Sequence, residues 1–192
     1  INLDFGKDAM LGSNSESKGN LTAAWLFGSP GKNLKTKIDA SLYARKTVFQ
    51  KFSGFDFDNP ATNYSTLTKT ILDGTTDENG QVSVSPAFEI EGEAPGMLMA
   101  NLLVKVFEPG GSFSIDNMSI PYSPFGSYAG IKMPDGEKPF DYLLSGKKHT
   151  IQVVNVDNKG NLINGSSDME VQFYKIQWRW WWDEGSDNLS NF

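Results

Sequence analysis

Apolar and polar residues alternate along much of this chain, and this period of two limits its fold more than any other feature. In LKTKIDASLYARK (residues 34–46), every second residue from Ile38 to Ala44 is apolar and the intervening residues are mainly polar. Because side chains of a strand point alternately to its two faces, the pattern predicts a half-buried β-strand. The same parity recurs from Leu21 to Phe27 in NLTAAWLFGS, and in QVSVSPAFEI (81–90).

A longer apolar run, GMLMANLLVKVFE (96–108), predicts a central strand that is covered on both sides. Further strands are predicted at GIKM (130–133), at HTIQVVNVD (149–157) and at the tryptophan-rich segment near the end. Turn-forming groups separate these runs, namely GSPGKN, DENGQ, EAPG, EPGGS, MPDGE and NKGN. Only PFDYLLSG (139–146) and the tail GSDNLSNF are suited to a helical turn. The fold class predicted is all-β, built as antiparallel β-sandwiches of immunoglobulin or fibronectin type.

Two segments interrupt this rhythm. Residues 47–66, TVFQKFSGFDFDNPATNYST, form a long connection rich in aromatic residues, and connections of this length are usually functional or mobile. The segment 114–130 carries prolines at 121 and 124 between two strand-rich blocks, and it is the best candidate for a domain boundary. We therefore expect two tandem sandwich domains, residues 1–121 and residues 122–192.

Charge and composition exclude several functions. The formal net charge is −6, which argues against a surface for nucleic acid, since such surfaces need clustered cations. The chain has no cysteine, so disulfides, thiolate metal sites and cysteine nucleophiles are excluded. No run approaches the 18 apolar residues of a membrane-spanning helix, and no signal peptide is visible. Because the chain begins with Ile1, we expect it to be a piece of something longer.

The sequence contains no recognisable catalytic or metal site. Its single histidine, His149, lies beside two lysines, and no Gly-x-Ser-x-Gly nucleophile motif accompanies it. The segments TTDENG and NVDNKG resemble the start of a calcium loop but lack its ligand pattern, so both are interpreted as hairpin turns. Asp56 and Asp58 form a carboxylate pair that is more typical of a solvated loop than of a glycosidase. We predict no enzyme activity, no cofactor and no metal.

Four of the five tryptophans lie in KIQWRWWWDEG (175–185). If all four were exposed, they would form an apolar patch on the order of 600–1,000 Å², which is more than monomeric soluble proteins usually carry. Strand parity places three of them on one face with Tyr174, which predicts the wall of a core. Arg179 and Trp181 remain on the opposite face. These two residues, together with Phe55 and Phe57 of the long connection, are the predicted contacts for a partner.

Three stretches in this order, EAPGMLMANLLVKVFEPGGSFSID, SIPYSPFGSYAGIK and YKIQWRWWWD, resemble the tandem macroglobulin-like domains of bacterial alpha-2-macroglobulins, particularly the long form of Bacteroides-type bacteria. The resemblance extends from about residue 67 to residue 183. It implies a protease trap of the cell envelope, periplasmic or surface-exposed, and a full-length protein that is a lipoprotein.

In such a trap, β-sandwich domains form a cage, a protease cleaves a bait segment, and a thioester in a Cys-Glu-Gln motif captures the attacker. Since this chain has no cysteine, it would be scaffold, with the neighbouring domains of its parent chain as partners and proteases as targets of the full-length protein. The 47–66 connection would be an exposed target for cleavage, although no bait segment can be identified.

The resemblance also implies further strands after the tryptophans. We therefore expect an incomplete second domain with an unpaired edge strand, which favours self-association or tight packing against the first domain. Two alternatives stay open: a carbohydrate-binding sandwich that uses exposed aromatic residues, and an adhesin or surface-layer repeat without trap function. An enzyme is the least favoured class.

Overall fold

A computed structural model describes residues 1–7, 9–12, 17–86, 88, 90, 93–139, 141–164, 170–173 and 175. These residues form ten β-strands and a short 3₁₀ helix at Gln50–Phe52. The strands are β1 (Asn2–Asp4), β2 (Leu11–Gly12), β3 (Gly19–Thr22), β4 (Lys35–Ala44), β5 (Leu67–Thr75), β6 (Gln81–Val84), β7 (Leu98–Phe107), β8 (Phe113–Ser123), β9 (Ser127–Lys132) and β10 (Gln152–Asp157). The predicted all-β class is confirmed.

Two sheets form a sandwich from the first part of the chain. A five-stranded sheet has the order β2-β8-β7-β4-β5, and a three-stranded sheet has the order β1-β3-β6. All neighbouring strands are antiparallel except the short pair β2 and β8. Leu21 and Val84 of the smaller sheet belong to one buried cluster with Ile38 and Leu102 of the larger sheet. The core therefore lies between the two sheets.

Strand β7 confirms its predicted parity, because its alternate residues from Leu98 to Val106 are buried in the core. β7 lies between β4 and β8, so its position as a central strand is also as predicted. Its opposite face is half-buried rather than covered, and Asn101 on that face is exposed. The pattern of β4 agrees likewise from Ile38 to Leu42, but Ala44 is exposed.

Four tight turns share one hydrogen-bond geometry, in the segments 25–29, 77–81, 108–112 and 157–161. In each turn the N–H of the first residue donates to the carbonyl of the fifth residue. The fourth residue is a glycine, and its N–H donates to the carbonyl of the first residue. All of these distances are 2.8–3.0 Å. The glycine has a positive φ, between 74° and 89°, a conformation that other residues rarely adopt. In two of these turns, Asp77 and Asp157 also accept backbone N–H groups through their carboxylates. The interpretation of 157–161 as a hairpin turn is confirmed, because the chain returns along β10 after it. The 77–81 turn is equally tight, but it connects β5 and β6, which belong to different sheets.

Two strand predictions are wrong at their ends. The alternation in residues 81–90 predicted a longer strand than β6, which ends at Val84. The alternation from Leu21 to Phe27 predicted one continuous strand, but β3 ends at Thr22 and the chain turns back over residues 25–29. Leu26 and Phe27 lie at the tip of this turn and are exposed. Gly28, with φ 88°, permits the turn, because its N–H reaches the carbonyl of Trp25.

The second part of the chain begins with β9 and β10, which form an antiparallel pair. Residues 161–163 return along β10 through the bridge between Val156 and Leu162. The helical turn predicted for residues 139–146 is wrong for the described residues of that segment, where Tyr142 instead forms a β-bridge with Glu137. β8 continues to Ser123, and the domain boundary at 121/122 stays a prediction. Within the described ranges, no helix is long and apolar enough to cross a membrane.

Candidate functional site

The candidate site is the junction between the sandwich and the β9–β10 unit. It is built by residues 45–59, which we call the strap. The strap leaves β4 of the sandwich, which we call the first unit. It then passes along the edge of β9, which with β10 forms the second unit. The N–H of Asp56 donates to the carbonyl of Ile131 at 2.8 Å, and the N–H of Ile131 donates back at 2.9 Å. Through this bridge, one residue of the strap extends the sheet of the second unit.

The rings of the strap fill a second hydrophobic core. Phe49 and Phe57 are both buried, with Phe57 only 7% exposed, and they cluster with Met97, Tyr128 and Val156. The ring centroids of Phe49 and Phe57 lie 4.8 Å apart at an angle of 79°, and those of Phe49 and Tyr128 lie 5.7 Å apart. Such edge-to-face pairs contribute about 0.5–1.5 kcal/mol beyond the burial of their surface. This core therefore belongs to both units.

Two glycines of the second unit allow the rings to approach. Gly130 of β9 lies directly beneath the ring of Phe57, so a Cβ at this position would collide with the ring. Gly160, in the turn after β10, has φ 79°, and a Cβ there would lie 2.6 Å from Cδ1 of Phe49. The second unit thus receives the strap rings at positions where it has no side chain of its own.

A polar clamp closes the base of the strap. The backbone N–H of Thr47 donates to both carboxylate oxygens of Asp58, each at 3.1 Å. The hydroxyl oxygen of Thr47 accepts the N–H of Met97 at 2.7 Å, and the N–H of Asn59 donates to the carbonyl of Pro95 at 2.6 Å. Since Thr47 is buried, these bonds satisfy groups that would otherwise lose hydrogen bonds on folding.

The two strap aspartates have different surroundings. The carboxylate of Asp58 is used as a backbone acceptor, whereas that of Asp56 is largely exposed, 3.6 Å from the ammonium of Lys46. An acid and a base for glycoside hydrolysis must flank a bound sugar. The clamp instead assigns Asp58 a structural role, in line with the interpretation of this pair as a loop feature.

A buried hydroxyl pair lies at the corner between β8 and β9. The hydroxyl oxygens of Ser123 and Tyr128 are 2.7 Å apart, and the Ser123 hydroxyl donates to the carbonyl of Phe125. Burial raises the pKa of the Tyr128 hydroxyl above its ordinary value of 10.0, because an ionised phenolate is poorly solvated there; the Ser123 hydrogen bond acts in the opposite direction.

A groove runs along the outside of the junction. It is lined from the first unit by Met10, Met97 and Pro121, from the strap by residues 48–51, and from the second unit by the turn residues 158–160. Its volume is about 360 Å³. Within the part of the chain that the structure describes, no group of three or more His, Cys, Asp or Glu residues is placed to hold a metal ion.

The four residues predicted to contact a partner differ in where the structure places them. Phe57 is covered by residues of this chain and Phe55 is half-buried against the same core, so the partner role of both stays a prediction. Arg179 and Trp181 lie outside the described residues, as does the rest of the tryptophan cluster. His149 is exposed, and its Nε2 lies 2.9 Å from the carbonyl of Leu144.

Sequence reasoning missed the junction itself. The sequence predicts an exposed connection at residues 47–66, but the phenylalanines at 49 and 57 are buried. The available signal was the spacing of four phenylalanines within nine residues, Phe49, Phe52, Phe55 and Phe57, which is too apolar for a segment that faces water. The glycan-binding alternative needs exposed aromatic residues, and Phe49 and Phe57 are not accessible to a sugar.

Comparison with known proteins gives two family matches. The model of the bacterial alpha-2-macroglobulin MG5 domain matches residues 1–121, and the model of bacterial macroglobulin domain 6 matches residues 130–192. No curated protein matches the chain.

Several solved structures share the fold. The native conformation of Escherichia coli alpha-2-macroglobulin aligns with a TM-score of 0.53 and 20% identity, over 83% of this chain and 11% of that one. The Escherichia coli protein activated by porcine elastase aligns with a TM-score of 0.52 and 21% identity, over 83% of this chain and 14% of that one. Salmonella alpha-2-macroglobulin reacted with methylamine aligns with a TM-score of 0.51 and 19% identity, over 84% of this chain and 11% of that one. At these identities the likeness is one of fold, and this chain spans only 11–14% of the length of these proteins.

Proposed function

We propose that this chain, which belongs to the bacterial alpha-2-macroglobulin family, is a scaffold segment of a protease inhibitor of that kind. Its residues 1–121 match the MG5 domain of the family. In this proposal the two units are consecutive wall domains of a larger cage. The chain supplies shape and stiffness, and the reactive centre lies elsewhere in the parent protein, since this chain has no cysteine for a thioester.

The shared core of the junction is the observation that carries this proposal. Domains within one chain usually meet through modest, fairly polar interfaces and move relative to each other. Here Phe49 and Phe57 leave the first unit and become core residues of the second, while Asp56 extends its sheet. Separating the units would expose both rings to water, at a cost of about 1.5–3 kcal/mol each. A rigid pair of this kind suits a wall that must keep its shape until a protease acts.

The finer statements about the parent protein are part of the same proposal. It is a broad-spectrum trap of the cell envelope, periplasmic or surface-exposed and lipid-anchored, whose targets are proteases. Related structures support protease as the target class, because they are described as activated by porcine elastase and by trypsin. The partners of this segment are the neighbouring domains of its own polypeptide.

The test begins with the parent reading frame on both sides of this segment. We expect further sandwich domains and a Cys-Glu-Gln motif. The parent is then expressed and mixed with porcine elastase. Elastase should co-elute with the parent on a sizing column and lose activity on casein while it still hydrolyses a small peptide substrate, since a cage excludes large substrates first.

The matched control is elastase with a blocked active site, which cannot cleave a bait and should elute alone. A parent without further sandwich domains would contradict the proposal. So would elastase that keeps full activity on casein at an excess of the parent protein.

A further inference from the structure

An apolar knob projects from one end of the sandwich. It is the tip of the 25–29 turn, where Leu26 is 107% exposed, the highest value among the exposed large hydrophobic side chains of the described residues, and Phe27 is 82% exposed, a value that Phe173 equals. Single exposed hydrophobic residues are common on protein surfaces, but two adjacent ones at a turn tip are not.

The other turns of this chain provide an internal comparison. The turns 77–81, 108–112 and 157–161 have the same hydrogen bonds and the same positive-φ glycine at the fourth position. At the two tip positions they carry Glu-Asn, Pro-Gly and Asn-Lys, where the first turn carries Leu-Phe. Since the same backbone geometry forms with polar or small tips, the turn itself does not require large apolar residues there.

The knob is held firmly by the body of the sandwich. The N–H of Trp25 donates to the carbonyl of Ser29 at 2.9 Å, and Ala24 forms a bridge with Pro30. The indole of Trp25 packs against the main core, and its plane is nearly parallel to the ring of Phe27, with centroids 6.5 Å apart. The apolar tip is thus presented in one orientation before any partner arrives, which lowers the entropy lost on binding.

The charges beside the knob do not suit a lipid surface. Proteins that insert apolar side chains into membranes usually surround them with lysine and arginine. Beside this knob lies the 77–81 turn, with Asp77 and Glu78, and the nearby Lys32 is paired with Glu78 at 3.5 Å. The surroundings are therefore mixed in charge, and the formal charge of the chain is −6.

The size of the knob restricts its partner further. A leucine and a phenylalanine side chain offer on the order of 300 Å². Stable complexes of separate proteins bury about 1,200–2,000 Å² in total. A contact this small is effective when the two surfaces belong to one polypeptide, because the connection supplies a high effective concentration.

We propose that Leu26 and Phe27 insert into an apolar socket on another domain of the same parent polypeptide, outside residues 1–192. This inference rests on the proposed function, in which this segment is one wall domain among many. The knob then fixes the position of the first unit against that neighbouring domain.

The experiment places a photo-crosslinking phenylalanine (benzoylphenylalanine) at Phe27 of the full-length parent, made in its own cells. After irradiation, mass spectrometry should identify one apolar segment of the same chain, beyond this segment, joined to position 27. The matched control carries the same group at Asn79, the equivalent position of the 77–81 turn, and should give no defined product.

A second variant, Leu26→Ser with Phe27→Ser, separates docking from folding. In the 192-residue chain alone the melting temperature should change little, since Leu26 is fully exposed and Phe27 has only its ring contact with Trp25 to lose. In the parent, amide exchange of the crosslinked segment should accelerate at least about tenfold. Crosslinks to lipid, to a separate protein or to a second copy would overturn the inference, as would none at all. A parent with further sandwich domains but without this crosslink refutes the inference alone, whereas a parent without such domains refutes the proposed function as well.

Discussion

Replacing Phe57 by alanine tests the shared core directly. Phe57 lies in the strap of the first unit, but its ring packs in the cluster with Tyr128 and Val156 of the second. Truncating a buried phenylalanine to alanine costs about 3–5 kcal/mol. We expect the lower end, about 3 kcal/mol, because the half-buried ring of Phe52, with its centroid 6.4 Å away, can relax into part of the cavity.

The assay is hydrogen exchange of individual amides. Because each 1.4 kcal/mol corresponds to a factor of ten, the loss of about 3 kcal/mol should accelerate exchange in β9 and β10 by about 100-fold. Amides of β7, whose core lies between the two sheets of the sandwich, should change far less. The effect is thus expected in the unit that is remote in sequence from the substitution.

The matched control is Phe113→Ala, the same chemical change at a side chain that is 50% exposed at the end of β8. It should cost less than about 1 kcal/mol and leave exchange in β9 and β10 unchanged. If Phe57→Ala accelerated exchange in β7 as strongly as in β9, or left β9 and β10 protected, the description of this core as the joint between the units would be refuted.

Two further predictions concern the second unit. Gly160→Ala should destabilise the protein by about 1–3 kcal/mol more than Gly111→Ala. Both glycines have a positive φ, but only at Gly160 would a Cβ collide with Phe49. The midpoints of urea unfolding measure the difference. Stability should also fall as pH rises above 10. Burial raises the folded-state pKa of Tyr128, so the unfolded chain loses its proton first, and Tyr128→Phe should make this alkaline slope shallower, whereas an unchanged slope would contradict the assignment.

The fold class and two strands of the main core, β4 and β7, could be predicted from the amino-acid sequence, whereas β5 and β8 of the same sheet were not. The alternation predicted correctly the buried side chains from Ile38 to Leu42 in β4 and from Leu98 to Val106 in β7, because a strand with one covered face permits only that parity. The turns at residues 77–81 and 157–161 were equally predictable, since an aspartate followed by a glycine three positions later forms its own hydrogen bonds. Both signals are local, and local signals are what a single sequence carries.

The same alternation failed at Phe27. Its parity continues that of Leu21, yet the hydrogen bond from Trp25 to Ser29 and the positive φ of Gly28 turn the chain before Phe27 can join the sheet. A period of two indicates only which residues share a face. It does not indicate where the neighbouring strand ends. The neighbouring strand here is β6, whose first residue, Gln81, pairs with Thr22 at the end of β3.

The role of the strap could not be predicted from the sequence. Its phenylalanines had no periodicity that indicated a face, and the residues that cover them, Tyr128 and Val156, lie more than 70 positions further along the chain. Nor could the spacing of Asp56 and Asp58 indicate that one pairs its backbone with Ile131 while the other clamps Thr47. Burial of a side chain in a connection depends on which distant surface it meets, and that is settled by packing rather than by local sequence.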